Sequence, residues 1–399
     1  MDPIADPTIR AVEASLARSA AAVASDRPLR IVHVVRQYLP NRGGLEDVVA
    51  HLAREQLKAG WPVRIVTLDR LFRAPEVRLP AREVIDGIPV ERIPWRGSSR
   101  YPFAPGVFRH LADADLVHVH AVDFFYDWLA FGRLLHGKPT VATTHGGFFH
   151  TVAHSRLKKL WFNGPTRLST RLHDAVVACS ASDAMTFAPL GGRIVTIENG
   201  VDLSKFADAA SATPVRTMVT IGRFSDNKRL DRLIATTAAL VRRDPAWRLV
   251  ICGAESDWTV ARLGVLVREH GIETAVSIET GLDDAALAGR IATASLFVSA
   301  STYEGFGLAL IEAMSAGLSP VVFPNASFRA LAARHPTIAL ADYEDPAAAA
   351  DAIETVFARL AADPAGMRAA AIAETVSYGW PRVAAEYAAL YRSVLAARG

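Results

Sequence analysis

LRIVHVVRQYLPNRGGLEDVVAHLA, residues 29–53, carries the pattern on which the fold turns. Its first seven residues are an apolar run rich in β-branched side chains, as a strand covered on both faces requires. A turn containing Gly43-Gly44 follows. Leu45, Val48, Val49, Leu52 and Ala53 then recur at i, i+3, i+4, i+7 and i+8, which is one face of a helix.

The same alternation runs outward along the chain. Strand-like runs stand at 63–68 (VRIVTL), 115–120 (DLVHVH), 139–144 (PTVATT), 174–180 (DAVVACS) and 193–198 (RIVTIE), with helix-like segments between them. A second series follows at 215–222 (VRTMVTIG), 247–253 (WRLVICG), 275–280 (AVSIET), 295–301 (SLFVSAS) and 319–324 (SPVVFP). Two such series predict two α/β domains with parallel sheets, and 399 residues exceed the ~250 at which a single core stops growing. The expected boundaries are an Ala- and Ser-rich arm at 1–28, a first Rossmann-like domain at 29–205, a second at 206–379, and a last helix at 380–399 packing back toward the first. Residues 203–214 are the expected hinge.

A hydrophobic fraction of 51% with 21% charged residues suits a globular protein. The balance of 44 basic and 41 acidic residues gives no global field for nucleic acid. Cys179 and Cys252 each end an apolar run, so neither a disulfide framework nor a cysteine metal site is expected. No apolar stretch approaches the ~20 residues that span a bilayer, and Asp2, Asp6 and Glu13 do not fit a signal peptide. The expected location is the cytoplasm.

Several residues carry chemistry. Gly43 and Gly44 precede a helix whose free amides can face an anion, although a tight strand-to-helix turn explains them equally. The spacing is not the G-x-G-x-x-G of dinucleotide binders, which counts against NAD. In the second series, Gly222, Arg223 and Lys228 follow a strand at the edge where open α/β sheets bind ligands, and two cations suit a departing diphosphate. STYEGFGLALIEAMSAG (301–317) then places Glu304 at a strand end and Glu312 on a helix. Eight residues span at most ~12 Å along a helix axis, the reach from hexose to ribose in a sugar nucleotide. Amides near Gly307 and Leu308 would face the diphosphate, Glu304 the sugar hydroxyls and Glu312 the ribose diol.

His118 and His120 alternate on a strand and point the same way, with His120 nearer the ligand-bearing edge. A satisfied core histidine is the alternative. Asp113-Ala114-Asp115 imitates a metal-binding D-x-D but precedes its strand, so it reads as loop polarity and no metal site is expected. SRLKKLWFNGPTRLSTRLH (155–173) combines Arg156, Lys158 and Lys159 with Trp161 and Phe162, a composition suited to an anionic membrane surface or to an ordinary basic helix. Gly164-Pro165 should kink that helix.

Together the E-x7-E segment, the Arg223/Lys228 pair, IENGVD (197–202) and Gly43-Gly44 resemble the GT-B retaining glycosyltransferases of family 4, from about Leu29 to the C-terminus. GSSRYPFAP (97–105), DFFYDWLA (123–130) and HGKPTVATTHGGFFHT (136–151) look more narrowly like the α-mannosyltransferases of xanthan- and acetan-type exopolysaccharide synthesis. The resemblance implies a GT-B fold with two Rossmann-like domains facing across a cleft. It implies GDP-mannose as donor, polyprenyl-diphosphate-linked cellobiose as acceptor, and peripheral attachment at the cytoplasmic face of the inner membrane. It puts Gly43 and Gly44 by the donor phosphate, His145 at the transferred sugar, Asn199 between the domains, Arg223 and Lys228 on the diphosphate, Glu304 on the sugar and Glu312 on the ribose. His120, Arg100 and Tyr101 fall to the acceptor. Retention follows from the resemblance: the acceptor hydroxyl enters on the face the leaving group departs from, a phosphate oxygen takes its proton, and neither protein base nor metal is required. The extra segment before Leu29 departs from the pattern. Four rivals remain open: another family 4 glycosyltransferase with a different sugar nucleotide or lipid acceptor, a GT-B sugar-nucleotide 2-epimerase, a catalytically silent sugar-nucleotide-binding protein or subunit of a polysaccharide assembly complex, and an NAD-dependent dehydrogenase.

Overall fold

The computed structural model describes residues 27–41, 43–99, 101–145 and 160–398. They form two compact units, one of residues 27–200 with 380–398 and one of residues 201–379.

In the first unit, strands β1 (Ile31–Val34), β2 (Val63–Leu68), β3 (Arg82–Ile85), β4 (Ile88–Ile93), β7 (Leu116–His120), β8 (Thr140–Thr143), β9 (Ala175–Ala178) and β10 (Ile194–Thr196) form one sheet. Its order is β10-β9-β8-β7-β1-β2-β4-β3, parallel except for the β3–β4 hairpin. That hairpin closes through Asp86 and Gly87, both at positive φ (51° and 80°), the conformation that an Asp-Gly turn supplies. A second small hairpin pairs β5 (Arg96–Ser98) with β6 (Tyr101–Phe103).

Helix Gly44–Lys58 buries Val48, Val49, Leu52 and Ala53 against this sheet. The same core takes Trp380, Val383, Ala384, Tyr387, Tyr391 and Val394 from the last helix, Trp380–Ala396. Burying each of the large apolar side chains stabilises by about 1.5–3 kcal/mol, so the last helix is part of the first unit's core rather than an appendage. Beyond Leu160 the chain forms a wide π-type turn, Phe162–Thr166, around Pro165 before helix Arg167–Leu172. The wide turn accommodates a residue that has no N–H to donate.

The second unit contains β11 (Thr217–Ile221), β12 (Arg248–Gly253), β13 (Val276–Thr280), β14 (Leu296–Ser299), β15 (Ser319–Val322) and β16 (Ala339–Leu340) in the order β13-β12-β11-β14-β15-β16, all parallel. The chain changes unit between Gly200 and Val201 and returns between Gly379 and Trp380. Residues 203–214, expected to be the hinge, instead pack on the second unit. Phe206 and Ala210 are buried in its core, and the Asp208 and Ala210 amides donate to the Ser315 and Ala316 carbonyls.

Candidate active site

The strand order of the second unit reverses between β11 and β14, the switch point at which an open parallel sheet leaves a crevice at its carboxyl edge. The two strands pair only through Met218–Leu296 and Val219–Phe297, so their carboxyl ends are not laddered together. Gly222 follows β11 at φ 152°, and a Cβ there would come within 3.2 Å of the Lys228 side chain. A bare backbone therefore lets Lys228 fold back over the strand end.

The loop after β14 is latched to this turn. Thr302 N donates to Asn227 O (2.8 Å) and Asn227 Nδ2 to Tyr303 O (2.9 Å), while Ser327 Oγ donates to Glu304 O (2.6 Å). These bonds bring Lys228 Nζ within 2.6 Å of Glu304 Oε1, with both side chains largely shielded from solvent. Arg223 is exposed, and no carboxylate among the described residues forms an ion pair with it. Gly307 (φ 102°) caps helix Leu308–Ser315 without a side-chain cap, leaving the first amides open to an anion. Glu312 is half-buried in the second turn of that helix. Glu304 precedes the helix, as its place at a strand end implied, and because Gly305–Gly307 lies between them the helical rise of 1.5 Å per residue does not set the full distance from Glu304 to Glu312.

The first unit has its own switch point, between β1 and β7. Gly43, extended at φ −174°, is the N-cap of helix Gly44–Lys58 beyond β1. Ala121 (φ 73°) and His145 (φ 55°) stand in the left-handed region just past β7 and β8, backbone strain of the kind that collects at binding sites. His145 Nε2 meets His120 Nδ1 at 3.0 Å, and His120 Nε2 meets His33 Nδ1 at 2.8 Å. His33 Nε2 meets Gln56 Oε1 at 2.8 Å, and Gln56 Nε2 donates to the Tyr391 hydroxyl at 3.4 Å. Tyr391 in turn meets His118 Nδ1 at 2.7 Å, and His118 Nε2 meets Thr143 Oγ1 at 2.7 Å. Burial lowers the His33 pKa to about 4 and that of His145 to about 3, and drives His118 and His120 well below the usual imidazole range.

His33, His118 and His120 could between them offer a metal three nitrogens within 4.8 Å. Their ring nitrogens are already engaged with one another or with Gln56, Tyr391, Thr143 and His145, so a metal would have to displace those bonds. Asp113 pairs with Arg64 and Asp115 accepts from the Arg30 amide, in keeping with loop polarity.

The structure corrects two assignments. His120 is fully buried with both nitrogens engaged, so it touches no acceptor directly and stands behind His145. Phe162, grouped with Trp161 as a membrane contact, is buried against Phe187 and Leu190, while Trp161 is exposed. Tyr101 is partly exposed, edge-on to Phe124 and Trp161. Asn199 is half-buried in the segment leaving β10. Arg100, Arg156, Lys158 and Lys159 lie outside the described residues.

Sequence reasoning missed His33, Gln56 and Tyr391, whose partners are remote in the chain. It also missed Asp123, whose Oδ1 caps helix Phe124–Phe131 through the Phe125 amide (2.9 Å). Burial raises its pKa to about 6, opposed by Arg36 at 3.8 Å.

The sequence model described as Glycosyltransferase Family 4 matches residues 42–205, and that described as Glycosyl transferases group 1 matches residues 204–365. The GDP-mannose:cellobiosyl-diphosphopolyprenol alpha-mannosyltransferase of Komagataeibacter xylinus is 43% identical, over 93% of this chain and 94% of its own. The protein of the same name from Xanthomonas campestris is 40% identical, over 92% of this chain and 97% of its own. Among solved structures, sucrose-phosphate synthase from Thermosynechococcus elongatus superposes with a TM-score of 0.69, covering 93% of this chain and 100% of the other at 22% identity, a likeness of fold. With two parallel-sheet α/β domains, matches to both family halves and relatives identical at four positions in ten along nearly the whole chain, the protein belongs to the GT-B glycosyltransferases of family 4.

Proposed function

We propose that this enzyme transfers α-mannose, with retention, from GDP-mannose to a polyprenyl-diphosphate-linked cellobiose in the assembly of a bacterial exopolysaccharide. The observation that carries the reading is the 40–43% identity, over 92–93% of the chain, to proteins named for that donor and that acceptor.

The chemistry suits the side chains. Lys228 and Arg223 neutralise charge as the diphosphate departs, with the open amides at Leu308 and its neighbour turned to the same group. Glu304 accepts from mannose hydroxyls and Glu312 from the ribose, while Gly43 and Gly44 let the first unit's backbone approach a phosphate. His145 lies at the mannose, and Asn199 at the domain junction. The acceptor hydroxyl attacks the anomeric carbon as the bond to GDP breaks, and its proton passes to the released phosphate oxygen. Positioning and charge stabilisation supply the rate, and the cations take the part that a metal ion plays elsewhere.

We place the enzyme on the cytoplasmic face of the inner membrane. No helix among the described residues is long and apolar enough to cross a membrane. Exposed Leu160, Trp161 and Leu168, beside exposed Arg167 and Arg171, give an apolar and cationic surface suited to anionic lipid.

One incubation tests the reading. Purified enzyme is offered labelled GDP-mannose and other sugar nucleotides, each with lipid-linked cellobiose and with a lipid-linked monosaccharide. Label should pass from GDP-mannose to the lipid-linked disaccharide alone. Transfer from another nucleotide, or conversion of the sugar without lipid, would overturn it.

A further inference from the structure

The buried hydrogen bonds of the first unit run in single file from His145 through His120, His33, Gln56, Tyr391 and His118 to Thr143, and on to the Tyr387 hydroxyl at 3.2 Å from Thr143 Oγ1. His145, at its outer end, is half-buried, and every other member is buried. Since burial keeps the four imidazoles uncharged, each ring donates at one nitrogen and accepts at the other. A donor at any one link therefore dictates the direction of the next.

Gln56 sets that direction, because its carbonyl oxygen can only accept and its amide nitrogen can only donate. Its Oε1 faces His33, so His33 carries its proton on Nε2 and accepts at Nδ1. His120 must then donate from Nε2 and accept at Nδ1, and His145 must donate from Nε2. The remaining nitrogen, His145 Nδ1, has no partner among the described residues and is left with a lone pair. On the far side of Gln56, Tyr391 accepts from the amide, donates to His118 Nδ1, and leaves His118 Nε2 to donate to Thr143.

We propose that Gln56 and Tyr391 are positioning residues that fix His145 as the Nε2–H tautomer. What His145 offers its ligand is thereby set from the last helix of the chain. A lone pair at Nδ1 recognises a hydroxyl hydrogen and repels a phosphate oxygen, so the group that His145 meets is a sugar hydroxyl. This rests on the reading that His145 lies at the transferred sugar. The opposite proton order, with the Gln56 amide turned over, would present an N–H and favour the phosphate instead.

The test is the 15N spectrum of the histidine rings in the full-length protein without substrate, with His145 assigned from its loss in His145→Asn. The parent should show His33, His120 and His145 protonated at Nε2. Gln56→Met removes both links without adding charge, and should move His33, His120 and His145 together toward a mixture of tautomers. Tyr391→Phe keeps the packing and should move His118 as well as His145. In Gln56→Glu the carboxylate accepts from His33 as the carbonyl did, so His145 should keep the parent's tautomer. A parent spectrum with His145 protonated at Nδ1 overturns the proposal. So does a His145 ring that is unmoved in folded Gln56→Met and Tyr391→Phe. Turnover of the same variants separates the two readings. If the tautomer shifts while donor KM and kcat stay within about twofold of the parent, the relay stands and the sugar is not at His145.

Discussion

Lys228 Nζ donates to Glu304 Oε1 at 2.6 Å across the switch point of the second sheet, so the cation assigned to the diphosphate and the carboxylate assigned to the sugar hold each other in place. A donor that engages both groups meets them already oriented. If Glu304 faces the hexose, where positive charge develops as the glycosidic bond breaks, its contacts should matter more in the transition state than in the ground state. Glu304→Gln should lower kcat by roughly ten- to a hundredfold, the equivalent of about 1.5–3 kcal/mol for a charged hydrogen bond. Lys228→Met should cost a similar factor, and the double variant less than the product of the two. Strict additivity in initial-rate kinetics would mean that the pair does not act as a unit.

Glu312 stands on the helix that Gly307 caps. If it meets the ribose, its surroundings change little during the reaction. Glu312→Gln should chiefly raise the KM for the donor, by roughly tenfold, with kcat nearly unchanged. A fall in kcat at constant KM would move Glu312 to the reacting end of the donor.

If Arg223 and Lys228 neutralise the leaving diphosphate, turnover should proceed in EDTA at a rate within about twofold of that in magnesium. Abolition by the chelator, with recovery on adding magnesium or manganese, would show that the cationic side chains do not suffice.

The histidine relay gives stability a pH dependence of definite sign. Folded His33 and His145 titrate near 4 and 3, below the ordinary 6.5, so between these values the unfolded chain binds more protons. Stability is therefore fully present above about pH 6.5 and falls as the pH drops toward the folded values, each unit of displacement being worth about 1.4 kcal/mol. The melting temperature should be level from about pH 8 to 7 and decline below 6.5, less steeply in His145→Asn. An equal slope in the two proteins would remove His145 from the set.

Trp161 and Leu160 are exposed in the stretch assigned to the membrane surface. Replacing both by Ser, with Lys158→Ser and Lys159→Ser added in a second variant, should reduce sedimentation with anionic vesicles stepwise, the cationic part fading as salt is raised. Binding that persists unchanged in the fourfold variant would assign this surface to packing alone.

Much of this was legible in the chain. Strands 63–68 and 319–322 lie where the apolar runs at 63–68 and 319–324 put them, because a strand buried on both faces has no polar alternation to blur it. The β3–β4 hairpin went unread although Asp86-Gly87 announces it, since its first strand is half exposed and Pro89 interrupts the second. In the second unit Lys228 and Glu304 could each be placed at the ligand-bearing edge of the sheet, because each follows a strand there, but their ion pair could not, since it depends on how the two loops are latched together. The relay was not legible, because Gln56 and Tyr391 stand 335 residues apart, and periodicity records which face a residue takes but not what it meets there.

The first unit closes its core with Trp380–Ala396, the last helix of the chain. On a ribosome, residues 201–379 emerge with their own core, while residues 27–200 must wait for a helix made after that whole stretch. The order of synthesis and the order of folding are therefore reversed for the two halves. A polypeptide cut short by some twenty residues would carry a finished second domain beside a first one whose apolar sheet face and inward-pointing histidines have lost their cover, a form open to aggregation and to proteases.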